Sequence, residues 1–463
     1  MLVPEANVKL YNLFLAGMML GLSAYGAGMA YGEDLVTVKT AIESAFDHNH
    51  HIQALKENRT AVEHEIDKAK AGYKPRIDLN LRYGYGKLDN STTRQYNLRG
   101  WGPYSSGSLI LTQPIWDGGL TESRVRESEA TFRSMEHRVL DNANSLALDV
   151  LIAQTDVIRC KTIFDLASKN AARHEEILAK AQDRASLGLD TAADVNQAKS
   201  RLSRAKSSLT EARGQLRQAE ENYSRLTGLA PQNLEEVPVP ADGYTSIDMV
   251  LDDAEKYNPK IASYLEDIKA SGARRDEAKA ANMPNLSIEA GPSFSDRNGK
   301  KQMYTYEIGI TGVLRWNLLN GGADAASIKA ANARIRQTRQ ELFDYADELR
   351  LAILSTWQDY EMATEQFEFY TDAAGFNTIT RDSYEDQFVM GDRSLLDVLD
   401  IENELFNSNT QINTSKSNKI IALYKLHALA GNLLPLLGID PEVLKNGTGA
   451  DGQEDEELHW TIK

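Results

Sequence analysis

The sequence predicts a mostly helical chain made from one unit written twice, in which long antiparallel coiled coils carry four β-strands of a membrane barrel. Three observations predict it: motifs recurring about two hundred residues apart, two very long helical runs, and alternating segments with one apolar face. The stretch GDRSLLDVLDIENEL at 391–405 answers GLDTAADVNQAKSRL at 188–202, with Gly391 and Gly188 separated by 203 positions (391 − 188). Asp397 and Val398 keep the same separation from Asp194 and Val195. Asp117-Gly118-Gly119 recurs as Asn320-Gly321-Gly322 at that spacing, Pro75 recurs as Pro284 at 209 (284 − 75), and HNHHI at 48–52 answers YNPKI at 257–261. Repetition at a fixed period marks a fold built by repeating one supersecondary unit. Each unit reads as a helical pair, a proline, a β region, a glycine pair, a long helix, a glycine turn and a return helix. The units are expected at 33–236 and 237–440, and the fall in offset places six extra residues (209 − 203) in the first β region.

The 463 residues carry a net charge of −16 and a pI near 5.1. Such a balance repels phosphate backbones and argues against a nucleic-acid partner. The one cysteine, Cys160, leaves no intrachain disulfide possible and reads as a small packing residue. Residues 1–32 read as a secretory signal, with a lysine, an apolar run from Leu10 and small residues near Ala30 and Gly32. A membrane anchor is the alternative for that short run. No later stretch reaches ~18 consecutive apolar residues, so no transmembrane helix is expected. Residues 441–463 are acidic and read as a disordered tail.

Residues 120–186 and 323–389 contain no proline and consist mostly of good helix formers. At 1.5 Å per residue each run spans roughly 100 Å. Ile328, Ile335, Leu342 and Leu349 step by seven. After the first glycine turn, Val195, Leu202, Leu209, Leu216 and Tyr223 form one heptad series and Ala198, Ala205, Ala212, Ala219 and Leu226 another. An alanine-rich seam lets the partner helix approach closely. Val398, Leu405, Ile412 and Leu426 fall in the matching register of the second unit, so each helix pair is expected to pack antiparallel across its turn.

The β regions alternate. Ile77, Leu79, Leu81, Tyr83 and Tyr85 oppose Asp78, Asn80 and Arg82; Leu286, Ile288, Ala290 and Phe294 oppose Ser287 and Glu289. Tyr304, Tyr306, Ile308, Ile310, Leu314 and Trp316 oppose Thr305, Glu307, Thr311 and Arg315. The remaining strand, about 106–115, has Ile110 out of pattern. Strands of ~9–11 residues with one apolar face and terminal aromatics suit an outer-membrane barrel; half-buried soluble hairpins are the alternative. Lipid tolerates no unpaired sheet edge and the smallest membrane barrels have ~8 strands, so several copies must contribute.

Catalytic signatures are missing from the sequence: there is no nucleophile elbow, phosphate loop or zinc spacing. His48, His50 and His51 read as a polar helix corner rather than metal ligands. No enzyme activity, metal or cofactor is expected.

The ordered set of motifs, from the signal through the prolines, DGG and NGG to GDRSLLDVLDIENEL, resembles the TolC-type outer-membrane channels from about Leu35 to Gly438. The resemblance implies a homotrimer in outer-membrane lipid, sharing a roughly twelve-stranded barrel and a helical tunnel into the periplasm. It implies a periplasmic adaptor and an inner-membrane transporter of ABC type as partners, with type I protein secretion, including large adhesins, as the role. Multidrug efflux is the second role considered, and a periplasmic coiled-coil scaffold the alternative of another class. It places Pro75, Pro284, Gly118, Gly119, Gly321 and Gly322 at helix–strand junctions and the adaptor-docking tips at Leu187, Gly188, Leu189, Met390, Gly391 and Asp392. By the same resemblance Asp397 and Asp400 line the narrowest point, Arg393 ties neighbouring helices with Asp194 as its acidic partner, and Phe388 replaces a latch tyrosine, as Ala193 replaces a threonine. From the residues alone, Thr191-x-x-Asp194 and Ser394-x-x-Asp397 read as capping boxes.

Overall fold

The computed structural model describes residues 35–97, 100–188, 191–240, 243–297 and 304–440. The expected signal, the acidic tail and Leu189 lie outside the described residues. In each unit two helices lead into a β-hairpin, a very long helix and a return helix: α1 (Val38–His48), α2 (His50–Lys70), β1 (Arg76–Lys87), a short α3 (Ser91–Gln95), β2 (Trp101–Trp116), α4 (Leu120–Ser186) and α5 (Ala192–Thr227). The second unit gives α6 (Ile247–Tyr257), α7 (Pro259–Ala280), β3 (Asn285–Arg297), β4 (Thr305–Arg315), α8 (Ala323–Met390), α9 (Leu395–Ala430) and a terminal α10 (Leu433–Leu436).

The recurring motifs make the same joints. Asn49 caps α2 by accepting from the amides of His51 and Ile52, and Asn258 caps α7 by accepting from those of Lys260 and Ile261. An asparagine carbonyl at that position satisfies helix-start amides that have no partner of their own. At the strand-to-helix junctions Gly118, Gly119, Gly321 and Gly322 all have positive φ. Asp117 adds a cap in the first unit, accepting from Thr121 N at 2.8 Å.

The long helices α4 and α8 have 67 and 68 residues. They lie in one layer with their shorter neighbours: toward the sheet α7 fits between α4 and α8, and toward the far end α9 takes that place while α5 flanks α4. The alanine seam forms as its spacing demands, with Ala198, Ala205 and Ala212 buried along α5. The main core gathers Ala41 and Ile42 of α1, Ala147, Val150 and Leu151 of α4, Tyr223 of α5 and Tyr424 of α9 near mid-length. Among the described residues no helix is long and apolar enough to cross a membrane.

The four strands form one antiparallel sheet in the order β1-β2-β3-β4, so among the described residues β1 and β4 are free edges. Register fixes which side chains share a face. Leu79 lies opposite Leu109, Leu111 opposite Ala290, and Ala290 opposite Ile310. One face is thus apolar across all four strands, and it is bare: Tyr83 is 82% and Ile310 80% exposed. The other carries Asp78, Ser106, Ser108, Glu289 and Thr311, with ion pairs Arg76–Asp78 at 2.8 Å and Arg315–Glu289 at 2.9 Å. Ile110 lies opposite Asp78 on the polar face, so the alternation of β2 holds with an apolar residue on its inner side. A register shift between Pro114 and Trp116 sets Trp116 opposite Leu286, returning it to the apolar face near the helices. Tyr83, Tyr85 and Trp101 give that face aromatics at its opposite end. The two hairpins join closely at Gly291 (φ +152°), where a Cβ would fall 1.9 Å from the Leu109 carbonyl oxygen.

The bare apolar face makes a direct prediction. Ile310→Arg places a charge in the lipid-facing band, at a cost of about 2–4 kcal/mol near the bilayer midplane. Heat-modifiable oligomer in the outer-membrane fraction should fall sharply for Ile310→Arg and persist for Thr311→Arg, one residue along on the polar face. Equal assembly of both would contradict the assignment of faces.

Candidate functional site at the helical tip

At the end away from the sheet, the two long helices turn back through matched loops. Gly188 (φ +77°) and Gly391 (φ +88°) take the left-handed conformation that other L-residues adopt only at a cost. The return helices start on Thr191 and Ser394, each side chain accepting from the amide three residues on. In the first copy the box is complete: Asp194 Oδ2 accepts from Thr191 N at 2.9 Å and from its hydroxyl at 2.6 Å. These bonds hold the Asp194 carboxyl below its ordinary pKa. The second copy departs from the expected box. Asp397 Oδ2 takes the Ser394 hydroxyl at 2.8 Å and lies 3.8 Å from Arg393 Nε. The adjacent guanidinium competes for the carboxylate, and the reciprocal bond to the Ser394 amide is not made.

Within the chain Arg393 and Asp194 are not brought together. Arg393 stacks over the Tyr384 ring, 3.9 Å from its centroid, and Asp194 is engaged by Thr191. Phe388 is 5% exposed, packed in an apolar cluster with Ile177 and Ala181 of α4, Ala198 of α5 and Leu395, Val398 and Leu399 of α9. The expected gate position at Phe388 is therefore a keystone of the tip core, and Arg184 covers its ring at 4.6 Å. The aromatic ring supplies apolar area where four helices converge, a place for which a polar latch is not required. Leu187, Val389 and Met390 stand at the outer end with 74%, 68% and 69% exposure. Gly188, Gly391 and Asp392 complete that end.

Asp400 lies one turn beyond Asp397 and is half exposed. Its Oδ1 is 2.5 Å from Arg201 Nη2 of α5. A second set of charges ties the two hairpins farther from the tip. Arg173 Nε of α4 donates to buried Glu402 of α9 at 2.8 Å, and Arg173 Nη2 also reaches Glu385 of α8. Lys180 Nζ donates to Glu385 at 2.9 Å. The Lys180 bond, aided by Arg173, lowers the Glu385 pKa against the opposing effect of burial. Burial likewise lowers the pKa of neighbouring His174, opposed by Glu402. Beside this bridge α4, α8 and α9 enclose a groove of about 490 Å³, lined by Asn170, Arg381, Phe406 and Asn409 among others. Sequence reading missed Arg173, Arg201, Glu385 and Glu402. Their positions beside the heptad seams are the signal, but only the packing of one hairpin on the other assigns their partners.

A one-layer wall of long helices ending in a sheet with a bare apolar face and two free edges defines a class: outer-membrane tunnels assembled from repeated copies. The profile of the family described as outer membrane efflux protein matches the sequence over residues 41–229 and again over 250–432. The chain belongs to that family. It is 23% identical over 398 residues to the outer membrane efflux protein BepC of Brucella suis, covering 86% of each chain. It is 22% identical to the outer membrane protein TolC of Escherichia coli K12, over 90% of this chain and 86% of that one. The proteases secretion protein PrtF of Dickeya chrysanthemi is 23% identical, with 90% and 92% covered. In fold, the chain matches the crystal structure of CusC with a TM-score of 0.72 at 16% identity, over 87% of this chain and 92% of that one. VceC of Vibrio cholerae gives 0.72, also at 16%, over 86% and 96%. The protein is an outer-membrane efflux or secretion channel of the TolC type, not an enzyme.

Removing the keystone ring should loosen the tip. Phe388→Ala is expected to cost roughly 3–5 kcal/mol of local stability. Amide hydrogen exchange over 385–400 should quicken while α1 and the mid-length core around Val150 and Leu151 of α4 keep their protection. Unchanged exchange at the tip would show that Phe388 is not its core.

Proposed function

We propose that three copies of this chain form a passive exit duct for polypeptides passed on by an ABC-type transporter and its periplasmic adaptor. One observation carries the assembly: a four-stranded sheet with an apolar face and unpaired β1 and β4 edges. In lipid each unpaired backbone group costs several kcal/mol, and pairing β4 of one copy with β1 of the next removes both edges. The wall of helices supports the same closure. On α8 the buried residues Leu349, Ile353 and Ala363 share one side, while Leu351, Met362, Phe369 and Phe376 are exposed on the opposite side. A helix apolar on two opposite sides needs a neighbour on each, and the described residues leave the side of α8 that carries Leu351, Met362, Phe369 and Phe376 uncovered. The scaffold alternative leaves the lipid-facing sheet without a purpose.

At the tip, Asp397 and Asp400 are proposed to line the narrowest point of the closed duct, with Arg393 and Asp194 meeting between copies. The exposed Leu187, Val389 and Met390, with the groove beside the Arg173 bridge, are proposed to seat the adaptor's helices. Protein cargo is favoured by kinship with PrtF, and with AprF of Pseudomonas aeruginosa, which is named for alkaline protease secretion and is 23% identical over 92% of this chain. BepC, named for efflux, supports the drug-export reading.

Deleting the gene should abolish the extracellular appearance of a polypeptide exported by an ABC transporter and leave susceptibility to small toxic compounds near wild type. The paired variant Leu187→Asp/Met390→Asp should reproduce that loss while oligomers still form. Normal export from the deletion strain together with increased drug susceptibility would overturn the secretion reading in favour of efflux.

A further inference from the structure

The sequence places two acidic residues at the proposed constriction, yet each has a positive neighbour in the same chain. Asp397 lies 3.8 Å from Arg393 Nε and Asp400 lies 2.5 Å from Arg201 Nη2. The two neighbours differ in kind. Arg393 sits on the same turn as Asp397 and stacks on Tyr384, so it travels with α8 and α9. Arg201 comes from α5, in the other hairpin, and is one of the few direct ties between α5 and α9. Its side chain is three-quarters buried, with an exposure of 24%, while that of Asp400 is 53% exposed. Arg201 is thus anchored in the wall, and the carboxylate it holds is open to solvent.

We propose that Arg201 sets the ion selectivity of the channel by neutralising Asp400, so that the closed constriction presents fewer free negative charges than its carboxylates suggest. A carboxylate with a guanidinium at contact distance acts on an ion in the lumen as a dipole. Its field falls away faster than that of a bare charge, whereas a free carboxylate would act across a Debye length of ~10 Å at 0.1 M salt. Because the pair spans two hairpins, movement of α9 away from α5 frees Asp400. The charge facing the cargo then depends on the position of the hairpins. This inference rests on the reading of Asp397 and Asp400 as constriction residues.

The test uses the full-length protein in planar bilayers under a KCl gradient. It reads reversal potential and the half-blocking concentration of hexaamminecobalt(III) added from the periplasmic side. Arg201→Gln should shift the reversal potential toward greater cation preference and lower the half-blocking concentration about tenfold. Arg201→Lys, which keeps the charge, should behave as wild type. Arg201→Gln/Asp400→Asn should lose the gain, because the unmasked carboxylate is gone. Arg201→Leu replaces the glutamine variant if that one fails to give a heat-modifiable oligomer. An unchanged potential and block in Arg201→Gln, alongside lost cation preference in Asp397→Ala/Asp400→Ala, would overturn the mask and leave the constriction in place. No change in either variant would overturn the constriction reading and the mask with it.

Discussion

Hydrocarbon offers a backbone amide no hydrogen-bond partner, and that constraint governs the architecture of this chain. A sheet of four strands satisfies its inner two and leaves an unpaired row along β1 and along β4. Everything at the membrane end accords with closing those rows against further copies. Apart from Ile110 and Val313, the large apolar residues of the four strands share one face, and the shift between Pro114 and Trp116 restores that facing where the strand nears the helices. The polar face carries two ion pairs, Arg76–Asp78 and Arg315–Glu289, as suits a surface turned toward a water-filled lumen. The helical wall repeats the arrangement, because α8 is apolar on a side that the described residues leave uncovered.

Repetition makes this geometry economical. One unit supplies half a wall and one hairpin, and two units in tandem place both hairpins side by side at Gly291. The joints that only need to bend the chain are the same in both copies: Asn49 and Asn258 as caps, Gly188 and Gly391 as turns. The tips differ where charge is involved. Asp194 closes a complete capping box, whereas Asp397 is shared between Ser394 and Arg393. The same acidic residue at the same repeat position is thus a structural cap in one copy and partly released from capping in the other.

Much of this was legible in the sequence because periodicity carries it. The proline-free runs gave the two long helices nearly to the residue, and the alanine heptads gave the seam along α5. Alternation located the strands, and Ile110, which disturbed the pattern, proved to be an apolar residue on the polar face rather than a break in β2. The tip was less legible. Motif position placed Phe388 at the gate in place of a latch tyrosine, but its burial depends on Ile177 and Ala198 arriving from two other helices. Asp400 read as a bare charge because nothing local to it is positive, and Arg201 lies 199 positions away. Pattern within a helix reveals which face is buried. It does not reveal which distant helix covers that face, and the charge pairs at the tip are decided by that second fact.

The central claim is that the sheet closes only between copies of the chain. Native mass spectrometry of the full-length protein, extracted from outer membranes in mild detergent, tests it most directly. The account predicts a species with the mass of three chains that is lost on heating. A folded, membrane-extracted species of one chain, stable on its own with β1 and β4 protected from amide exchange, would contradict it.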